Sequence, residues 1–79
     1  MKEHTITVYS TPTCPYCVMA KDYFSKKGVS YHDIDVTKDR VAAQQMVEKS
    51  GQMGVPVITI DDNVIVGFRP DVFEELLAA

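Results

Sequence analysis

Thr5-Ile6-Thr7-Val8-Tyr9-Ser10-Thr11-Pro12-Thr13-Cys14-Pro15-Tyr16-Cys17, continuing to Lys27 as Val-Met-Ala-Lys-Asp-Tyr-Phe-Ser-Lys-Lys, is the stretch that decides how this chain folds. Thr5 to Tyr9 is β-branched, apolar and alternating, which predicts a strand. Ser10 to Thr13 breaks the pattern and reads as a loop. Tyr16 to Lys27 has helical spacing, with Cys17, Ala20 and Phe24 on one face beside Met19 and Tyr23. Pro15 suits a first helical turn, and Gly28 after Lys26 and Lys27 suits a stop. Cys14 and Cys17 are the only two cysteines, and they fall where the strand gives way to the helix. A helix N-terminus presents unpaired N–H groups and a positive dipole end, and both favour a thiolate over a thiol. A cysteine placed there has its pKa drawn below the free value of about 8.5. Cys17 lies one turn along on the same face, within reach for a disulfide. The spacing predicts a redox pair, with Cys14 as nucleophile and Cys17 as resolving thiol.

Outward from this stretch, Val29 to Val36 predicts a second strand. Thr37 is expected to cap a second helix, with Asp39 in its first turn and Val41, Ala42, Gln45, Met46 and Lys49 along it, ending at Gly51. Val57 to Ile60 predicts a third strand, Asp61-Asp62-Asn63 a tight turn, and Val64 to Val66 a fourth strand antiparallel to the third. Pro70 starts a last helix through Leu77, with Phe73, Leu76 and Leu77 inward. The order is β-α-β-α-β-β-α, an α/β class. The first crossover makes strands one and two parallel. Strands three and four read as apolar on both faces, so helices are expected on both sides of the sheet.

The 79 residues predict a single domain, residues 1–79. Hydrophobic residues make up 46% and charged residues 24%, ordinary for a globular protein. The net charge of −3 argues against nucleic acid and against an anionic membrane as partner. Two cysteines are too few for a secreted disulfide scaffold. No secretory leader is visible, and no apolar run approaches the roughly 20 residues needed to cross a bilayer. The expectation is a cytoplasmic, monomeric protein. His4 and His32 read as surface residues, Met46 and Met53 as packing, and Lys21 as a helix residue that adds positive potential one turn beyond Cys17.

The whole chain resembles the glutaredoxin family of the thioredoxin fold. The residues that carry the resemblance are Cys14-Pro15-Tyr16-Cys17, Val55-Pro56, and Val66-Gly67-Phe68 before the last helix. The resemblance implies a four-stranded mixed sheet flanked by three helices, with a cis peptide before Pro56 beside the cysteines. It implies no bound cofactor, with glutathione as co-substrate. Alongside Cys14 and Cys17, Thr13, Pro15 and Tyr16 would border the substrate. The Val55 backbone would pair with an extended substrate segment, and Pro56, Gly67, Phe68 and Arg69 would complete the binding surface. The implied activity is thiol–disulfide exchange on disulfide-containing proteins and glutathione mixed disulfides.

Two positions depart from the glutathione-using pattern. Thr11 stands where such proteins carry a lysine. Gly67-Phe68-Arg69-Pro70-Asp71 is similar instead to the NrdH-type redoxins, which donate hydrogen to ribonucleotide reductase and are recharged by thioredoxin reductase. A remote alternative is a Cu(I)-binding module, since two thiolates at a strand-to-helix loop suit a soft metal. Such modules run βαββαβ, and this chain ends in a helical pattern.

Overall fold

A computed structural model describes residues 4–52 and 54–78. The elements are β1 (Ile6–Ser10), α1 (Pro15–Lys27), β2 (His32–Asp35), α2 (Arg40–Ser50), β3 (Val57–Ile60), β4 (Asn63–Val66) and α3 (Pro70–Ala78). The strands form one sheet in the order β2-β1-β3-β4. β1 and β2 are parallel, while β3 is antiparallel to both β1 and β4. This is the expected thioredoxin-like, mixed four-stranded arrangement.

Alternation along the strands divides the core between two layers. Ile6, Val8, Ile58, Ile60 and Ile65 meet Ala20 and Phe24 of α1 and Phe73 of α3 on one face. Tyr9 and Val57 meet Ala42 and Met46 of α2 on the other. The central β3 is therefore buried at all four positions, which explains its unbroken apolar run. β4 is the edge strand, and there only Ile65 is buried. The expectation that both of its faces are covered thus fails: Val64 and Val66 are 39% and 38% exposed. On the helices, Val18, Met19 and Val41 are also exposed.

Several boundaries differ from the sequence reading. β1 is Ile6–Ser10, so Ser10 belongs to the strand and not to the loop, because it pairs with Asp35 in the parallel ladder, and β2 ends at Asp35, short of Val36. β2 begins at His32, not Val29, because the Val29 N–H is spent on the Phe24 carbonyl at the end of α1 (3.2 Å). Gly28 and Gly51 close α1 and α2 in the left-handed conformation, with φ of 74° and 76°, as C-terminal glycines do. The α2 cap is Asp39, whose carboxylate accepts the Ala42 N–H at 3.0 Å. Thr37 is not free to cap: its hydroxyl and its N–H both donate to Asp35. This holds the Asp35 carboxyl below its usual range, with the hydroxyl bond as the largest cause. β4 begins at Asn63, so the turn proper is Asp61-Asp62.

His4 is not a plain surface residue. Its Nδ1 lies 2.7 Å from the Asp61 carboxylate with only 11% of its side chain exposed, and Asp61 also accepts the Thr5 N–H at 3.0 Å. His32 is exposed, as expected; Met53 lies outside the described residues.

α1 and α3 are clasped at their surface ends. The Tyr23 hydroxyl donates to Glu74 at 2.5 Å, and Lys27 pairs with the same carboxylate. Burial of the phenol, with the Glu74 hydrogen bond and charge behind it, pushes the Tyr23 pKa up to about 12. The folded state thus favours the neutral phenol. Its stabilisation is complete below the unfolded value near pH 10 and is lost as pH rises towards 12. Difference titration of tyrosinate absorbance between the wild type and Tyr23→Phe is expected to isolate one phenol with a midpoint near 12. A midpoint near 10 would contradict the clasp.

Candidate active site

The site is built at one end of the sheet. In the ladder Tyr9 pairs with Val57, and Val57 pairs with Val66. The loop after β1, the segment before β3 and the loop after β4 therefore leave the sheet at the same end. That register brings Thr11–Cys14, Val55–Pro56 and Gly67–Phe68 together, although they are scattered along the chain. The Gly67 N–H donates to the Pro56 carbonyl at 2.9 Å, joining two of these segments directly. The Val55–Pro56 peptide is cis.

Cys14 is the N-cap of α1. Its backbone is extended (φ −99°, ψ 107°), and its sulfur accepts the Cys17 N–H at 3.2 Å. The thiol thus occupies the place that a Ser or Asp side chain takes at an ordinary N-cap. Pro15 fills the first turn, where its missing N–H costs no helix bond. The Cys14 and Cys17 Cα atoms are 5.2 Å apart with the sulfurs at disulfide distance, inside the range that a disulfide bridges without backbone movement. The two differ in access: Cys14 is partly exposed, whereas Cys17 is completely buried.

Around the pair, Thr13, Pro15 and Tyr16 are exposed, Tyr16 by 60%. Pro56 is buried and Val55 half-buried. Phe68 is half-buried, its ring 6.3 Å from Tyr23 and 6.0 Å from Phe73, so one side of it belongs to the core. Arg69 is exposed and lines a groove with Val64, Ile65, Val66 and Val72.

Lys21 does not stand free beside the cysteines. Its ammonium donates to Asp33 at 3.1 Å, and the other Asp33 oxygen accepts the buried Ser10 hydroxyl at 2.8 Å. This Ser10–Asp33–Lys21 link ties β1, β2 and α1 together just behind the loop. The sequence reading missed it, since nothing local signals a contact between residues 23 apart in the chain.

A partly exposed cysteine on a helix cap, a buried cysteine one turn on at disulfide distance, and a cis-proline segment on this sheet define a thioredoxin-fold thiol–disulfide protein. The chain belongs to the glutaredoxin family, whose model, described as glutaredoxin, matches residues 6–65. It is 43% identical to an uncharacterized glutaredoxin-like 8.6 kDa protein in the rubredoxin operon of Clostridium pasteurianum, over 91% of this chain and 96% of that one. It is 37% identical to glutaredoxin 3 of Escherichia coli (strain K12), over 78% of this chain and 75% of that one. Among solved structures it is similar to the NrdH-redoxin of Escherichia coli, with a TM-score of 0.81 and 29% identity over 91% of this chain and 93% of that one. The family implies thiol–disulfide oxidoreductase activity. The order ending in α3 is not that of the βαββαβ metal module.

Proposed function

We propose that this protein is a dithiol electron donor that reduces protein disulfides, and glutathione mixed disulfides, by cycling Cys14 and Cys17 between dithiol and disulfide. The observation that carries the reading is the contrast in access across one helical turn: Cys14 is reachable and Cys17 is sealed. The Cys14 thiolate attacks one sulfur of a substrate disulfide, forming a mixed disulfide and releasing the first substrate sulfur as a thiolate. Cys17 then loses its proton and attacks the Cys14 sulfur. The mixed disulfide breaks, the second substrate thiol leaves, and the protein holds the Cys14–Cys17 disulfide. Two electrons pass to the substrate. Two molecules of glutathione, or a flavoprotein reductase, return them.

Glutathione is the first proposed donor, supported by the Pro15-Tyr16 insert and the glutaredoxin relatives. The second reading is an NrdH-type donor to ribonucleotide reductase, recharged by thioredoxin reductase. Thr11 and Gly67-Phe68-Arg69-Pro70-Asp71 favour it, as does the likeness to a redoxin of that type. In either case the protein acts as a cytoplasmic monomer on thiol partners, without nucleic acid or membrane.

NADPH oxidation with glutathione and glutathione reductase, run beside thioredoxin reductase, separates the two donors. The one that sustains turnover at micromolar protein is the physiological class. In the same assay Cys17→Ser is expected to lose reduction of protein disulfides and to keep reduction of glutathione mixed disulfides, which need a single thiol. Full activity of Cys17→Ser on protein disulfides would remove Cys17 from the mechanism.

A further inference from the structure

The two edges of the sheet are guarded unequally. β2 carries His32, Asp33 and Asp35 in its four residues, whereas β4 is Asn-Val-Ile-Val with no charge. Charged side chains are a usual protection against strand addition, and β4 lacks them. Its hydrogen-bonding phase follows from the Gly67 N–H to Pro56 carbonyl bond. Pairs two residues apart from that one, Ile65 with Ile58 and Asn63 with Ile60, exchange ladder bonds with β3. The N–H and C=O groups of Val64 and Val66 therefore point away from β3, at the free edge. Beside that edge lies a groove with a volume of about 430 Å³ lined by Val64, Ile65, Val66, Arg69 and Val72. Arg69 is the one charged residue of this lining, and among the described residues no carboxylate lies within ion-pair distance of it. β4 runs towards the redox end of the sheet, where Val66 passes directly into Gly67–Phe68.

We propose that the β4 edge and its groove form a docking strip for an extended, acidic segment flanking the disulfide of a partner protein. The inference deepens the function proposed above and rests on it. The segment pairs through its main chain with Val64 and Val66, lays apolar side chains in the groove, and sets a carboxylate on Arg69. The strip leads towards Cys14, so it holds the partner's disulfide near the nucleophile while leaving the sulfur chemistry unchanged. It selects protein substrates over small disulfides, which have no chain to pair.

The test is single-turnover reduction by pre-reduced protein. The probe is a synthetic peptide with an intrachain disulfide followed by an alternating Val-Thr flank that ends in glutamate. It is compared with the same peptide ending in lysine, with a version N-methylated at alternate flank amides, and with hydroxyethyl disulfide. N-methylation is expected to lower the second-order rate constant about tenfold, through lost main-chain bonds. The lysine ending is expected to lower it about threefold, as an exposed charge pair allows, and Arg69→Glu should reverse the glutamate–lysine order. Val64→Pro removes an outward N–H and no β3 bond. It should erase the N-methylation penalty while its circular-dichroism melt stays cooperative. Equal rates for all three peptides, with hydroxyethyl disulfide still reduced, would overturn the docking strip alone. Failure to reduce any of the four probes would overturn the oxidoreductase reading itself. Sedimentation showing self-association that Val64→Pro abolishes and the peptide does not displace would assign the edge to a second copy, and would also overturn the proposal.

Discussion

Cys14→Ser is expected to abolish reduction of every disulfide, protein or small, by on the order of 10⁴-fold or more, the scale lost when an enzyme's nucleophile is removed. Serine keeps the N-cap: its hydroxyl accepts the Cys17 N–H as well as sulfur does. The fold should therefore survive, and the loss will report chemistry rather than unfolding. A hydroxyl at this position is no nucleophile towards a disulfide, because a helix N-terminus does not lower an alcohol pKa into the neutral range. Turnover above a few per cent with either donor would show that Cys14 is not the attacking group.

Phe24→Ala is expected to give the largest loss of stability. Phe24 is fully buried between the sheet and α3, with ring centroids of Phe73 at 5.0 Å, Tyr23 at 5.5 Å and Tyr31 at 6.1 Å. Removing a buried phenyl ring costs about 3–5 kcal/mol through lost transfer energy and the cavity left behind. A chain of this size has only roughly 4–12 kcal/mol in total. The thermal midpoint should fall by about 15 °C or more, read by circular dichroism at 222 nm. A loss below about 1 kcal/mol would mean that the aromatic cluster is not the centre of the core.

The fold was legible because its signals are local and repeated. Each helix carries its own stop or start, as at Gly28, Gly51 and Pro70, and β3 announces its burial by four consecutive apolar residues. The errors came where one residue had two possible uses. Thr37 is a good cap by type, yet Asp35 two residues earlier takes its hydroxyl and N–H. Val29 is a good strand residue, yet its N–H closes α1. Apolar identity alone also cannot separate a central strand from an edge, which is why Val64 and Val66 were expected inside.

For the candidate site, the cysteine pair was visible because spacing and a helix start are sequence properties. The positions of Val55–Pro56 and Gly67–Phe68 beside it came only through the family resemblance, since strand register decides them. Ser10, Asp33 and Lys21 were invisible as a unit, being joined across three elements. His4 was misread for the same reason: its partner Asp61 is 57 residues away.

The account stands on the proposal that Cys14, at the α1 N-terminus, is more acidic than a free cysteine. The direct measurement is the rate of iodoacetamide alkylation of reduced Cys17→Ser protein as a function of pH, since that variant leaves Cys14 as the lone thiol. The predicted midpoint lies clearly below that of an ordinary free cysteine, as the helix N-terminus favours the thiolate. A midpoint at about 8.5, that of an ordinary free cysteine, would contradict the account.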